Sequence, residues 1–223
     1  MCLADLGKNH MTKTQVMALL KALKKLYPKH VIPLHHHNAW ELLCAVILSA
    51  QCTDARVNTI TPHLFAKYPT VQDLAKAKLS DVEKIIHSAG FYHSKAVSLI
   101  EMSKRICSTY GGEVPQNMDD LLTLRGVARK TANVMLGDYF KKPAGIVVDT
   151  HVKRLAKRLG LTQQTDPVKV EKDLTKIIPY EYWGWLAIAL ILHGRQICNA
   201  RKPACSCCSL AKLCPRKGVT TSS

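Results

Sequence analysis

Apolar residues recur along most of the chain at the three- and four-residue spacing of an α-helix. From Val16 to Tyr27 this spacing predicts a first amphipathic helix, which must end before Pro28. Thr12 and Gln15 precede it at the spacing of a capping box, in which each side chain bonds the backbone of the other residue. The pattern therefore predicts a helix with a defined start and a defined end.

The run AWELLCAVILSA, residues 39–50, is apolar on nearly all sides, which predicts a helix buried at the centre of a domain. It follows Asn38, which has capping-box spacing to Glu41. Further helix starts are predicted at Asp54, Thr70 with Asp73, Ser80 with Glu83, Ser94, Asn117, Asp149, Asp166 with Pro167, and Glu181. Outside residues 145–148, which could be extended, no segment alternates like a strand. The pattern predicts an all-α fold.

One glycine-bearing segment stands out between two of these helices. Asn117 is an N-cap for a short helix from Met118 to Leu122, and Gly126 separates that helix from a second run, Ala128 to about Leu136. The N–H groups at such a turn and at the second helix start have no intrahelical partner, so they can hold a nucleic-acid phosphate. An ordinary helical hairpin would show the same pattern, and both interpretations remain open.

The excess of basic residues indicates which class of molecule the protein binds. The chain of 223 residues carries 32 Lys and Arg against 16 Asp and Glu, a formal charge of +16, with a pI near 9.6. Such a balance predicts attraction to a polyanion, and nucleic acid is the first candidate, although a basic surface also aids solubility or binds membranes. We expect an intracellular protein, since no apolar run could span a bilayer and residues 1–10 form a polar, patternless extension without a signal sequence.

The nine cysteines are an odd number, and five of them fall between Cys198 and Cys214, which favours metal ligation over disulfides. Four of the five have the spacing C-x6-C-x2-C-x5-C, namely Cys198, Cys205, Cys208 and Cys214. Four thiolates in one loop can surround zinc or an iron-sulfur cluster, and the chemistry alone leaves both open. We assign no ligand role to Cys207, nor to the small apolar residues Cys2, Cys44, Cys52 and Cys107.

The run LRGVARKTAN, from Leu124 to Asn133, is followed by VDTH and resembles the signature of the endonuclease III family of DNA repair glycosylases. Further matches are LSAQCTD, GFYHSKA, LHGR and the cysteine spacing, so the resemblance covers nearly all of the chain after residue 11. Two positions depart from the family pattern: Arg125 stands where proline is usual, and Ala128 where a second hairpin glycine is usual. If that position needs a left-handed backbone, alanine costs about 1–2 kcal/mol.

The resemblance implies that Lys130 is a nucleophile and that Asp149 assists it. Without the resemblance, a lysine at a basic helix start is generally a phosphate contact, and an aspartate before THVKR is generally an N-cap. A lysine attacks only as the neutral amine, so its pKa of about 10.4 must be lowered by desolvation or nearby positive charge. Capping and catalysis are compatible for Asp149, because the cap orients the carboxylate.

The resemblance also implies how the chain binds DNA. Gln51 would fill the gap left by an extruded nucleotide, and Phe91, where relatives often have leucine, would wedge the duplex. The remaining predicted DNA contacts are the hairpin residues Gly126 and Ala128, His151 in the helix after Asp149, and Arg201 and Lys202 in the cysteine loop. Helix-end polarity for Gln51 and core packing for Phe91 are the alternatives.

For the architecture, the resemblance implies a six-helix domain, 32–142, containing the helix-hairpin-helix at about 117–137. It would be inserted into a second helical domain built from 11–31 and 143–223. The cysteine spacing matches the [4Fe-4S] loop of the family, residues 198–214, so the resemblance selects that cluster over zinc. We expect the cluster to be structural and to position the loop toward the DNA backbone.

The resemblance and these residues together predict a base excision repair enzyme, a bifunctional DNA glycosylase and abasic-site lyase acting on duplex DNA. The resemblance alone implies that its substrates are oxidised pyrimidines. One alternative is a monofunctional mismatch or adenine glycosylase, against which Lys130 argues; another is a non-catalytic helix-hairpin-helix DNA-binding module. We expect no further recognition domain after Cys214, where nine residues remain. We also expect a monomer without membrane association in a prokaryotic cytoplasm.

Overall fold

The computed structural model describes residues 11–29 and 32–223. Across these residues it contains eleven α-helices, one π-helix, one 3-10 helix and no β-strand. The α-helices are α1 (Lys13–Leu26), α2 (Ala39–Leu48), α3 (Asp54–Lys67), α4 (Val71–Ala75), α5 (Leu79–Ile86), α6 (Tyr92–Thr109), α7 (Met118–Leu122), α8 (Arg129–Val134), α9 (Thr150–Arg158), α10 (Pro167–Ile177) and α11 (Trp183–Gln196). The prediction of an all-α fold is confirmed, and the predicted extension 1–10 lies outside the described residues.

Contacts between Cα atoms divide the chain into two units. The larger unit is Ile32–Ala144, and the smaller one combines Gly145–Ser223 with the described residues before 32. The sequence boundaries were predicted at 32 and 142. None of the helices in 11–29 and 32–223 is both long and apolar enough to cross a membrane.

The core of the larger unit is built around α2. Eight of its ten residues are buried, in agreement with the apolar run from which the helix was predicted. It contacts α3, α6 and α8. Leu42, Leu43 and Leu48 are fully buried, and burying a leucine side chain is worth about 1.5–3 kcal/mol. This burial makes α2 a fixed reference for the segments around it.

The smaller unit packs α9 and α1 against α11, and α10 against α9. Leu19, Leu20 and Leu23 place the apolar face of α1 in this core. After Gln196 the described chain has no further helix, so residues 197–223 depend on other contacts.

The helix starts follow the predicted caps where a side-chain oxygen is available. Thr12 and Thr70 form complete capping boxes, and Asn117, Asp149 and Asp166 each accept a backbone N–H. These starts are confirmed, because each such bond satisfies an N–H that the first helical turn leaves unpaired.

Five predicted starts are wrong or incomplete. Thr53, rather than Asp54, caps α3, since its hydroxyl accepts the Arg56 N–H. Helices α5 and α6 begin after Lys78 and Phe91 instead of at Ser80 and Ser94, and neither cap residue makes a side-chain cap bond. Asn38 caps α2, but the Glu41 carboxylate bonds His37 instead of closing the box. The last helix begins at Trp183 after a 3-10 turn, Tyr180–Tyr182.

Candidate functional site

The predicted hairpin is present between α7 and α8. The Leu124 N–H donates to Leu121 and the Val127 N–H to Leu124, both at 3.1 Å, and so close the turn. Gly126 has φ +84°, a backbone conformation that costs other residues about 1–2 kcal/mol. A Cβ added there would also lie 2.9 Å from the Ser98 Cβ of α6. The turn therefore requires glycine for both conformation and space.

Ala128 is the N-cap of α8, with φ −92° and ψ 170°. This is extended backbone, so the left-handed penalty considered for alanine does not arise here. Arg125 is exposed on the same turn. Lys130, the second residue of α8, is exposed as well. The hairpin thus presents the Lys130 amine to solvent directly after the glycine turn.

Asp149 lies in the smaller unit as the N-cap of α9. Its Oδ1 accepts the Val152 N–H at 2.8 Å, and the residue is half-buried. The cap bond fixes the orientation of the carboxylate, as the sequence predicted, and leaves Oδ2 for another role.

His151 follows Asp149 and is half-buried where α9 meets α11. Its Nδ1 lies 3.1 Å from a terminal guanidinium nitrogen of Arg154. Burial lowers the pKa of His151, and the charges of Arg154 and Arg195 lower it further, while Asp149 opposes them. A Cβ added at Gly194 would lie 2.9 Å from His151 Nδ1, so the glycine of the LHGR motif lets the two helices approach. His151 is therefore part of the contact between α9 and α11.

The two residues predicted to enter the duplex both have a strained backbone. Gln51 has φ +53° in the turn after α2, and Phe91 has φ +58° at the start of α6. A non-glycine residue in this region is uncommon and often marks a functional site. Phe91 is 66% exposed, unlike an aromatic core residue, so the core-packing alternative is wrong. A Cβ added at Gly90 would lie 3.5 Å from the Gln51 carbonyl oxygen, so the structure brings the two turns together.

The four predicted thiol ligands line one pocket of the smaller unit. Cys198, Cys205, Cys208 and Cys214 all face it, and its empty volume, including its open mouth, is about 430 Å³. Cys207 is exposed and does not line this pocket. Leucine and isoleucine side chains supply much of the remaining wall.

The electrostatics of the pocket favour a cation. Burial raises the pKa of Cys208 and of Cys214, and the negative charges of neighbouring thiolates, Cys198 and Cys205 among them, raise both further. Several thiolates this close need a positive charge to ionise together. Within 11–29 and 32–223, no group of three or more His, Cys, Asp or Glu has the geometry to hold a single metal ion. The donor set, four thiols around one pocket, fits an iron-sulfur cluster.

Arg158 holds the start of the cysteine loop. It is buried at the end of α9 and donates to the carbonyl oxygens of Asn199 and Ala200, each at 2.7 Å. It also donates to the Cys198 sulfur at 3.2 Å. Its own carbonyl accepts the Lys217 N–H at 3.1 Å. One arginine thus joins both ends of the loop.

His193, like Arg158, lines the pocket of the four cysteines. Its Nε2 lies 3.5 Å from the Cys208 sulfur and its Nδ1 lies 3.1 Å from the Tyr27 hydroxyl. Burial lowers the pKa of His193, which favours the neutral ring with one donor and one acceptor nitrogen. Sequence reasoning assigned no role to Arg158 or His193; the histidine of LHGR was the available signal.

Arg201 and Lys202 are exposed in the loop after Cys198, where basic side chains can reach a phosphate. The Arg201 carbonyl accepts a hydrogen bond from Thr221, which ties this part of the loop to the C-terminal segment.

Over most of its length the chain is similar to known DNA repair proteins. Residues 44–180 match the family described as HhH-GPD superfamily base excision DNA repair protein. The chain is 51% identical to an endonuclease III from Synechocystis sp. over 91% of this chain and 93% of that protein. It is 44% identical to an endonuclease III from Bacillus subtilis, over 90% and 91% of the two chains.

A solved structure of a trapped endonuclease III–DNA covalent intermediate is also similar. It superposes with a TM-score of 0.86 at 43% identity and covers 92% of this chain and 97% of that one.

Proposed function

Because this chain belongs to the HhH-GPD superfamily of base excision DNA repair proteins, and within it to the endonuclease III family, we propose that Lys130 and Asp149 carry out its chemistry. The chain is a base excision repair DNA glycosylase and abasic-site lyase, and DNA is its partner. The observation that carries the assignment of Lys130 is its place, exposed in the first turn of α8 directly after the Gly126 turn.

In the proposed reaction, the neutral Lys130 amine attacks C1′ of the damaged nucleotide. The bond from C1′ to the base breaks, and the base departs with a proton. Opening of the sugar ring gives a Schiff base between the lysine nitrogen and C1′. Removal of a 2′ proton then expels the 3′ phosphate, and water releases the lysine from the cleaved strand. Since Lys130 is exposed in the protein alone, desolvation of its amine would come from bound DNA.

Asp149 takes the proton from the amine or stabilises the positive charge that develops on the sugar as the base leaves. The 2.8 Å cap bond at Oδ1 supports this role because it holds the carboxylate without neutralising it. A carboxylate fixed in this way needs little reorganisation when positive charge develops on the sugar.

The proposed substrates are oxidised pyrimidines in duplex DNA. The damaged nucleotide must leave the stack for C1′ to be reached, and Gln51 and Phe91 would occupy the vacated space. Their adjacent turns, their positive φ values and the exposure of Phe91 support this proposal. Gly126 and Ala128 would present backbone N–H groups to a phosphate, while His151 would contribute from the start of α9.

We assign a [4Fe-4S] cluster to Cys198, Cys205, Cys208 and Cys214. When bound, the cluster supplies four metal–thiolate bonds that tie the loop together. Arg158 would donate a hydrogen bond to the Cys198 ligand, and the loop would present Arg201 and Lys202 to the DNA backbone. We propose that the protein acts as a monomer in a prokaryotic cytoplasm. The prokaryotic source is supported by the relatives named above, which come from bacteria.

Borohydride trapping on duplex DNA containing an oxidised pyrimidine tests this function. Borohydride reduces a Schiff base to a stable amine, so the natural protein should become covalently attached to the strand. Lys130→Ala should abolish the adduct and lower strand cleavage by at least about 1000-fold, the scale of losing a covalent nucleophile.

Two further variants sharpen the test. Lys142→Ala removes another exposed lysine of the same unit and should trap normally. Asp149→Asn retains the cap, because an asparagine oxygen accepts the same hydrogen bond, so lost turnover there reports chemistry rather than folding. Base release without any adduct in the natural protein would contradict the proposal and identify a monofunctional glycosylase.

A further inference from the structure

Lys95 is a buried lysine that the proposed reaction does not use. It lies on α6, is 6% exposed, and donates from Nζ to the Leu48 carbonyl oxygen at 2.8 Å. Burial lowers the pKa of Lys95, while the electrostatic interaction with Cys52 opposes that shift. Removing an ammonium from water is unfavourable unless it gains a good partner. The partner here is the carbonyl of the last residue of α2.

The carbonyl groups at the end of a helix carry partial negative charge, and a cation placed there is stabilising. Beyond Leu48 the helical bonding pattern changes, because the Cys52 N–H donates to Ser49 at 3.1 Å and closes a turn. Gln51 lies inside this turn with φ +53°. Lys95 thus holds the point at which the chain leaves α2 and enters the strained turn.

The same face of α6 reaches two other segments that we assign to DNA binding. Lys95 and Ser98 are three residues apart within α6, which places them on one side of the helix, and Phe91 directly precedes its first turn. Phe91 begins α6 next to the Gln51 turn, and Ser98 lies against Gly126 of the hairpin. All of these residues belong to the larger unit. Helix α6 therefore connects Phe91, the Gln51 turn and the hairpin at Gly126.

We propose that Lys95 is a positioning residue for base extrusion, which holds the end of α2 so that Gln51 enters the duplex beside Phe91. The proposal rests on the proposed function of Gln51 as the residue that fills the vacated stack. Lys95 itself is buried, and its amine is bonded to the Leu48 main-chain carbonyl. Its effect on turnover must therefore pass through the Gln51 turn.

The first test is single-turnover base release from duplex DNA containing an oxidised pyrimidine. Lys95→Met retains the length of the side chain and removes the donor. We expect base release to slow about tenfold, since misplacement by about 1 Å costs up to roughly 100-fold. Lys104→Met, the same change at an exposed lysine of α6 paired with Glu101, should leave the rate within about twofold.

The mechanism predicts non-additivity. In a Gln51→Ala background the added Lys95→Met change should slow base release by less than about twofold, because the residue through which Lys95 acts is gone. An equal loss in both backgrounds would overturn the proposal, and so would an unchanged rate in Lys95→Met alone. Thermal unfolding of each variant checks that the fold is retained.

A second readout does not depend on catalysis. Amide hydrogen exchange of residues 50–53 should accelerate in Lys95→Met and stay unchanged in Lys104→Met. Unchanged exchange in Lys95→Met overturns the proposal whatever the activity shows. If the natural protein forms no borohydride adduct, the proposed function fails separately, and the exchange result still decides whether Lys95 holds the turn.

Discussion

The hairpin region of the larger unit and the cysteine loop of the smaller one are both assigned to DNA, but they are held in different ways. The hairpin is a short turn between two helices, and it lies against Ser98 and Ile47 of the buried helices beneath it. Residues 197–223 contain no α-helix and depend on polar bonds from Arg158 and on the pocket of four cysteines. Apolar packing fixes the first region, and hydrogen bonds with a proposed ligand fix the second.

The difference between the two regions indicates which substitutions each should tolerate. A turn packed on a core is sensitive to a single methyl group, since interiors have few voids. A loop held by a few strong polar contacts is sensitive to the loss of one donor or ligand, and tolerates change elsewhere. Variants in the two regions should therefore affect different units and different observables.

The largest effect is expected from losing one proposed cluster ligand. In Cys208→Ser we expect bound iron and the visible absorption of the cluster to be lost, and the free energy of unfolding to fall by about 5 kcal/mol or more, because cluster binding contributes to folding. Iron analysis and thermal unfolding measure the two. Cys207→Ser is the matched control, since this exposed cysteine does not line the pocket, and it should retain full iron. Full iron in Cys208→Ser would contradict the ligand assignment.

A smaller loss is expected when the loop keeps its cysteines but loses its buried donor. Arg158→Met should lower the free energy of unfolding by about 3 kcal/mol, because it leaves carbonyl groups of the loop without their charged partner. Denaturant unfolding gives the value. Lys157→Met, an exposed neighbour on the same helix, should change stability by less than about 0.5 kcal/mol. Equal effects of the two variants would show that the loop does not depend on Arg158.

The smallest expected effect is a difference in stability between two glycine variants. It separates the cost of the backbone conformation in the hairpin from the cost of close packing. Gly126→Ala and Gly111→Ala both place a methyl group on a backbone with positive φ, which costs about 1–2 kcal/mol in each. Only at Gly126 does the added Cβ meet a neighbour, Ser98, since nothing lies within 4 Å of it at Gly111. We expect Gly126→Ala to lose about 1 kcal/mol more in denaturant unfolding and to bind duplex DNA more weakly. Equal losses, with unchanged DNA binding, would show that close packing on α6 is unimportant.

Sequence reasoning succeeded for several helices whose start is decided by a local side-chain bond. Thr12, Thr70 and Asp166 begin helices because their own side chains accept the unpaired N–H groups. It failed at α5 and α6, whose cap residues Lys78 and Phe91 make no side-chain cap bond. Those starts depend on how the helices pack, which no short stretch of sequence specifies.

The sequence by itself determined the helical class, the glycine turn before Lys130, the cap at Asp149 and the spacing of four thiols, because each depends on residues close together in the chain. Only the tertiary structure decided that Lys95 bonds the end of α2, that the Gln51 and Phe91 turns adjoin, and that Arg158 and His193 stand behind the cysteines. Three of these contacts join residues about 40 to 50 positions apart, and the fourth joins α11 to the cysteine loop across 15 positions. They form because burial of apolar surface brings the helices together, and a polar group buried in the process must find its partner there.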